Sequence, residues 1–116
     1  MNPSHALIHW IPQEHGGRQA PPSGPTYSAV ARFEDDEQWP HEAWSVVVKY
    51  ERSFQADRYL YAEVSFLVHT APAHLLSEGS RFELLEGRRR VAKGIVVPEA
   101  VAVPRELNPL ESALIG

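Results

Sequence analysis

The chain has 116 residues, a formal net charge of −4 and no cysteine. One domain is the expectation at that length, and the missing cysteines exclude disulfides, thiolate metal sites and thiol nucleophiles. Eleven basic residues against fifteen acidic ones also argue against a general nucleic-acid binder, which is usually net basic, so any such role must rest on a local patch.

Ten prolines and seven glycines interrupt the chain too often for a helical bundle. No apolar run reaches the ~18 residues of a membrane-spanning helix. Met1-Asn2-Pro3-Ser4-His5 lacks the basic-then-apolar pattern of a signal peptide. A cytoplasmic protein with no membrane partner is therefore expected.

Taken in order, Ala6 to Ile11 is a branched and aromatic run ended by Pro12, which reads as a strand. Residues 12–25 form a long loop holding Gly16-Gly17-Arg18 and a proline-rich stretch from Pro21 to Pro25. In the second strand, Tyr27, Ala29, Ala31 and Phe33 share one face. The acidic run Glu34-Asp35-Asp36-Glu37 reads as part of a solvated loop over 34–43. Trp44 to Tyr50 is the clearest β segment, and residues 51–58 read as a polar turn. From Tyr59 to Val68 the even positions Leu60, Ala62, Val64, Phe66 and Val68 are apolar and should face a core, with Glu63 and Ser65 toward water. Residues 69–79 allow at most one helical turn, at 73–77.

Arg81 to Glu86 and Arg90 to Val97 then make a hairpin with a glycine-led turn at Gly87. Phe82, Leu84, Val91 and Ile95 are its core candidates, and Gly94 marks a bulge or a tight bend. Beyond Pro98 the pattern fades, although Asn108-Pro109-Leu110-Glu111 carries the start signals of a short helix over 109–115. Six strands with long polar connections suit a closed antiparallel barrel over residues 1–97, because closure removes exposed sheet edges. Residues 98–116 are a tail, with or without that helix.

The six histidines include His5 and His9, four apart at a strand entrance, and His69 and His74, which flank Pro72. None stands at a known ligand spacing from a carboxylate, so no metal and no cofactor is expected. There is no phosphate-binding glycine motif and no serine-nucleophile elbow, and no enzymatic activity is expected.

One segment departs from the acidic average. Between Arg81 and Lys93 five basic residues (Arg81, Arg88, Arg89, Arg90, Lys93) face two acidic ones (Glu83, Glu86), a local +3 in a protein of −4. Arginines at a hairpin tip can spread over adjacent phosphates. Equally, they can pair across the strands with Glu83 or Glu86.

Three stretches in order resemble the third, C-terminal domain of elongation factor Tu. They are Ala6 to Arg18, with its apolar strand and Gly-Gly-Arg; Tyr27 to Phe33, with Tyr and Phe six apart; and Gly79 to Val96, against the family's G-x-R-F-x-[IL]-R-E-G-G-R-T-V-G-x-G-V-V, without a gap. The resemblance spans about residues 6–97 and implies a six-stranded antiparallel barrel. It implies surfaces for protein partners and for the backbone of transfer RNA. Arg18, Glu86 and Gly87 fall on the family's RNA-side positions, while Arg88, Arg89, Arg90 and Lys93 add charge beside them. Elsewhere the chain departs: Val30 stands where the family has Gln, and Gln55-Ala56-Asp57 where it has Pro-Gly-Asp.

The expectation is a non-catalytic binding module that engages a protein partner. The alternative is an RNA-binding module using the anion-site candidates Arg18, Glu86, Gly87, Arg88, Arg89, Arg90 and Lys93. With neither a phosphate loop nor a magnesium-ligand set, titration of the protein with GTP at micromolar concentration should give no saturable heat.

Overall fold

Each of the six expected segments forms a strand: β1 (Ser4–Trp10), β2 (Thr26–Phe33), β3 (Trp44–Phe54), β4 (Tyr59–Phe66), β5 (Arg81–Glu86) and β6 (Arg89–Val97). They close into a barrel in the order β1-β4-β3-β2-β5-β6, every neighbouring pair antiparallel. The computed structural model describes residues 4–98. The expected helix over 109–115 and the tail that carries it lie outside them. Among the described residues the only helical pieces are 3-10 turns at Gln13–His15 and Ala73–Leu76, and no helix is long and apolar enough to cross a membrane.

The antiparallel order gives the barrel two ends. Trp10, Thr26, Phe54, Tyr59, Glu86 and Arg89 terminate strands at the lower end, and Ser4, Phe33, Trp44, Phe66, Arg81 and Val97 at the upper end. Inside, the waist is lined by small and branched side chains. Ala6, Ile8, Ala31, Val46, Val48, Leu60, Ala62, Val64 and Leu84 are all fully buried in one cluster. The rings sit toward the ends. Trp10 meets Tyr27 edge-on at 5.6 Å below, and Phe33 lies 5.7 Å from Phe66 and 5.6 Å from Phe82 above.

Gly94 makes the upper packing possible. A Cβ there would stand 2.3 Å from the tip of the buried Phe82 ring. The expected bulge lies elsewhere, at Val91: Leu84 pairs with Ala92 and Leu85 with Arg90, leaving Val91 as the extra residue. The bulge turns both Val91 and Ala92 into the core.

Several expectations need correction. Leu60, Ala62 and Val64 are buried as expected, but β4 ends at Phe66, which is only half-buried, and the chain then leaves the sheet. Leu67 and Val68 are 60% and 46% exposed. Glu63 is half-buried, because it pairs in register with His5 on one side and Lys49 on the other. Residues 51–54 continue β3 beyond a bulge between Tyr50 and Arg52. Only residues 55–58 form the turn, and Gln55, Ala56 and Asp57 in it take left-handed φ of 54–64°. Ile95 is buried, but on the outer wall with Leu7, Tyr61 and Val97.

Two variants test the packing. Leu84→Ala should destabilise the fold by about 2–5 kcal/mol. Gly94→Ala should cost about 1–3 kcal/mol through overpacking against the ring. Adding Phe82→Leu to Gly94→Ala should lose less than the sum of the two single losses in urea unfolding, since the substitutions share one contact.

Candidate functional site

The loop that follows β1 brings Arg18 to the lower end. It turns back at once: Gly17 N–H donates to the Pro12 carbonyl at 3.0 Å, and Pro12 and Arg18 form an isolated parallel bridge. A side chain at Gly17 would collide with the backbone, its Cβ 1.8 Å from the Ile11 carbonyl oxygen. The glycine therefore lets the loop lie flat on the strand end and aims Arg18 across the barrel mouth. Nε of Arg18 donates to the Ala20 carbonyl at 3.1 Å, fixing the fork.

The fork meets Glu86 at the end of β5. Nη1 of Arg18 and the hydroxyl of Tyr27 both donate to Oε2 of Glu86, each at 2.5 Å. Charge-assisted bonds of this kind are the short, strong ones. The hydrogen bond from the Tyr27 hydroxyl is the largest single cause holding the Glu86 carboxyl below the usual glutamate range; partial burial opposes it, and the Arg18 bond and charge add to it. Burial and the bond to Glu86 push the Tyr27 phenol up, so it stays a donor. Arg18 is likewise held charged, chiefly by its bond to Glu86.

Below this trio lies the hairpin tip. Glu86 pairs with Arg89, leaving a two-residue turn of Gly87, with φ 62°, and Arg88. Glycine in the left-handed region at the first turn position is what a tight hairpin requires. Arg88 and Arg89 are exposed and hold no salt bridge among the described residues. Arg90 is spent on Glu83 at 2.7 Å. Lys93 stands four residues up β6, roughly 13 Å at strand rise, and pairs across strands with His9 and Glu83. Of the seven sequence candidates, Arg18, Glu86, Gly87, Arg88 and Arg89 thus meet at the lower end, and Arg90 and Lys93 do not join them. The acidic run 34–37 follows β2 at the upper end.

That upper end carries a concavity the sequence reading missed. The 34–43 loop folds back over β2, β5 and β6, tied by Glu34 N–H to the Arg81 carbonyl at 2.9 Å. It encloses about 460 Å³ beside Phe33, Phe82 and Gly94. Half-buried Trp39 forms one wall, with the Arg32 guanidinium 6.0 Å from its ring centre. Arg32, Arg81 and Lys93 face Glu34, Asp36 and Glu83 around the rim. Nothing periodic marks Trp39 in the sequence; a lone tryptophan in a polar loop was the available signal.

A third grouping lies on the outer wall. The register sets His5 opposite Glu63, and the β3 bulge adds Glu51. One donor atom from each of the three lies within 4.8 Å of the others. The spacing along the chain gave no hint of this, because three different strands supply the residues. No protein-family model and no curated protein matches the chain.

The Glu86 trio predicts a pH dependence. A carboxyl held below its unfolded value of about 4.3 contributes stability that is fully present above that value and is lost as pH falls through the lower folded value. Tyr27→Phe should raise the pKa of Glu86 toward its unfolded value, so that less stability is lost on acidification and the loss is complete at a higher pH. A carbon-detected NMR titration of the Glu86 carboxyl, run beside acid unfolding, reads both.

Proposed function

We propose that the chain is a non-catalytic binding module whose upper concavity receives a protein partner. The observation that carries this is the Trp39 pocket: a half-buried tryptophan with the Arg32 guanidinium 6.0 Å from its ring centre, inside a rim of both charges. Tryptophan, tyrosine and arginine supply most of the binding energy at protein interfaces, and a polar rim around an apolar centre is their usual anatomy. The rim balances three cations with three acids, which suits a protein surface with paired charges better than a polyanion. The resemblance to a translation-factor barrel supports the same reading and brings with it a cytoplasmic setting.

Exposed Arg88 and Arg89 favour a second reading, contact with an RNA backbone at the lower end. Against it stand Arg18 and Arg90, which are already paired with carboxylates, and the overall charge of −4. Because the two surfaces sit at opposite ends, one set of variants separates them. Partner capture from lysate should survive ribonuclease, persist in Arg88→Ala/Arg89→Ala, and fall at least tenfold in Trp39→Ala, as expected for loss of a central anchor of about 2 kcal/mol or more. Capture that is abolished by ribonuclease and by the double arginine variant, with a steep salt dependence, would instead establish the RNA reading.

A further inference from the structure

We propose that His5, Glu51 and Glu63 form a binding site for a divalent transition-metal cation of the zinc class on the outer wall of the barrel. The three residues come from β1, β3 and β4, and each reaches the site for a separate structural reason. Ala6, Ile8 and Trp10 point into the core, so His5 points outward by strand alternation. Glu63 is its direct partner across the β1–β4 ladder. Glu51 is the extra residue of the β3 bulge between Tyr50 and Arg52, and bulges are a means of re-aiming one side chain.

The histidine is the second observation. It is only 7% exposed and stacks on Tyr61 at 5.4 Å, which fixes the ring plane. Nδ1, like that of His9, is buried without a hydrogen-bond partner, so what sets His5 apart is Nε2, which stands 3.6 Å from Oε2 of Glu51. That separation is beyond hydrogen-bond length. It is, however, close to the spacing of about 3.4 Å between two donors that share a tetrahedral zinc ion. A cation between Nε2 and the two carboxylates would replace the long Nε2 contact to Glu51 with a direct bond and would neutralise the two acids. One coordination position would remain for water. Nitrogen and carboxylate donors together suit zinc and its transition-metal neighbours better than calcium or magnesium, which take oxygen ligands.

The same strand supplies an internal comparison. His9 lies on the same outer face and stacks on Tyr59 at 4.7 Å in the same manner. Its register partner on β6 is Lys93, and Lys93 and Arg58 both act on it as cations. His9 therefore has the histidine without the carboxylates. Lys93 is too far along the ladder to serve His5, but Lys49, which pairs in register with Glu63 on β3, competes with a cation for that carboxylate. Lys49→Met should accordingly tighten binding.

The test is calorimetric titration of the full chain with ZnCl2, followed by cobalt substitution. The wild type should bind one zinc ion. Glu63→Gln and Glu51→Gln should each weaken binding at least about tenfold, and His9→Ala should leave it unchanged. The cobalt-loaded protein should show visible ligand-field absorption that Glu63→Gln lacks. Because the glutamine variants preserve shape on the outer wall, circular dichroism should show them folded, whatever His5→Ala does to the barrel. Absence of zinc binding at micromolar concentration, or equal affinity in wild type and Glu63→Gln, would overturn the proposal and assign any uptake to the other histidines.

Discussion

A six-stranded barrel has a narrow waist, and that constraint shapes everything else in this molecule. Side chains that point inward from opposite walls compete for one space, so the middle layers hold alanine, valine, leucine and isoleucine. Larger rings are displaced to the mouths, where the strands splay. At the upper mouth Phe82 fits only because Gly94 offers no side chain. At the lower mouth Trp10 is flanked by Tyr27 and by Tyr50, 6.4 Å away. Once the rings close the two ends, each end presents a different chemistry. The lower one shows tyrosine hydroxyls and an arginine; the upper one shows aromatic faces under a loop.

Electrostatics follow from that division. Tyr27 has its ring in the barrel mouth and its hydroxyl outside, a common arrangement for a residue with one apolar and one polar end. The hydroxyl and Arg18 converge on Glu86, so the arginine that would offer charge to an anion is already satisfied. Displacing it would leave a partly buried carboxylate without its cation, which costs more than a surface ion pair is worth. On the hairpin tip Arg88 and Arg89 hold no salt bridge among the described residues, and alternation lets adjacent arginines point apart. At the upper end the charges are arranged around an aromatic centre. That geometry favours a partner with an apolar anchor.

How much of this was legible in the sequence depended on whether a feature follows one strand or links several. Branched and aromatic runs bounded by turn residues, with period-two alternation in the second and fourth, mark all six strands, the Leu60, Ala62 and Val64 face, and the Gly87 turn. The closed barrel followed from them. The polar end of β3 reads as a turn in the sequence because Glu51, Arg52 and Ser53 have no apolar alternation to show; Glu51 is the bulge residue, the other two follow it, and all three are exposed. Val68 was placed in the core because its parity is right, but pairing ends two residues earlier. Arg18 and Glu86 were singled out by resemblance, yet their role depends on Tyr27, which is 59 residues from Glu86 and looked like ordinary strand packing. Trp39 belongs to no period, and its value comes only from the loop that folds it against Arg32.

The outer wall shows why such features escape a one-dimensional reading although they are tightly determined. Shifting β1 by one residue against β4 would turn His5, Leu7 and His9 into the core and Ala6, Ile8 and Trp10 out of it. Burial of that second set forbids the shift. The core thus fixes the register, and the register in turn decides that His5 stands beside Glu63 while His9 stands beside Lys93. Neither neighbour is under any packing demand of its own. Two histidines four residues apart, alike in strand, face and aromatic support, are in this way given opposite electrostatic surroundings by side chains on the other side of the sheet.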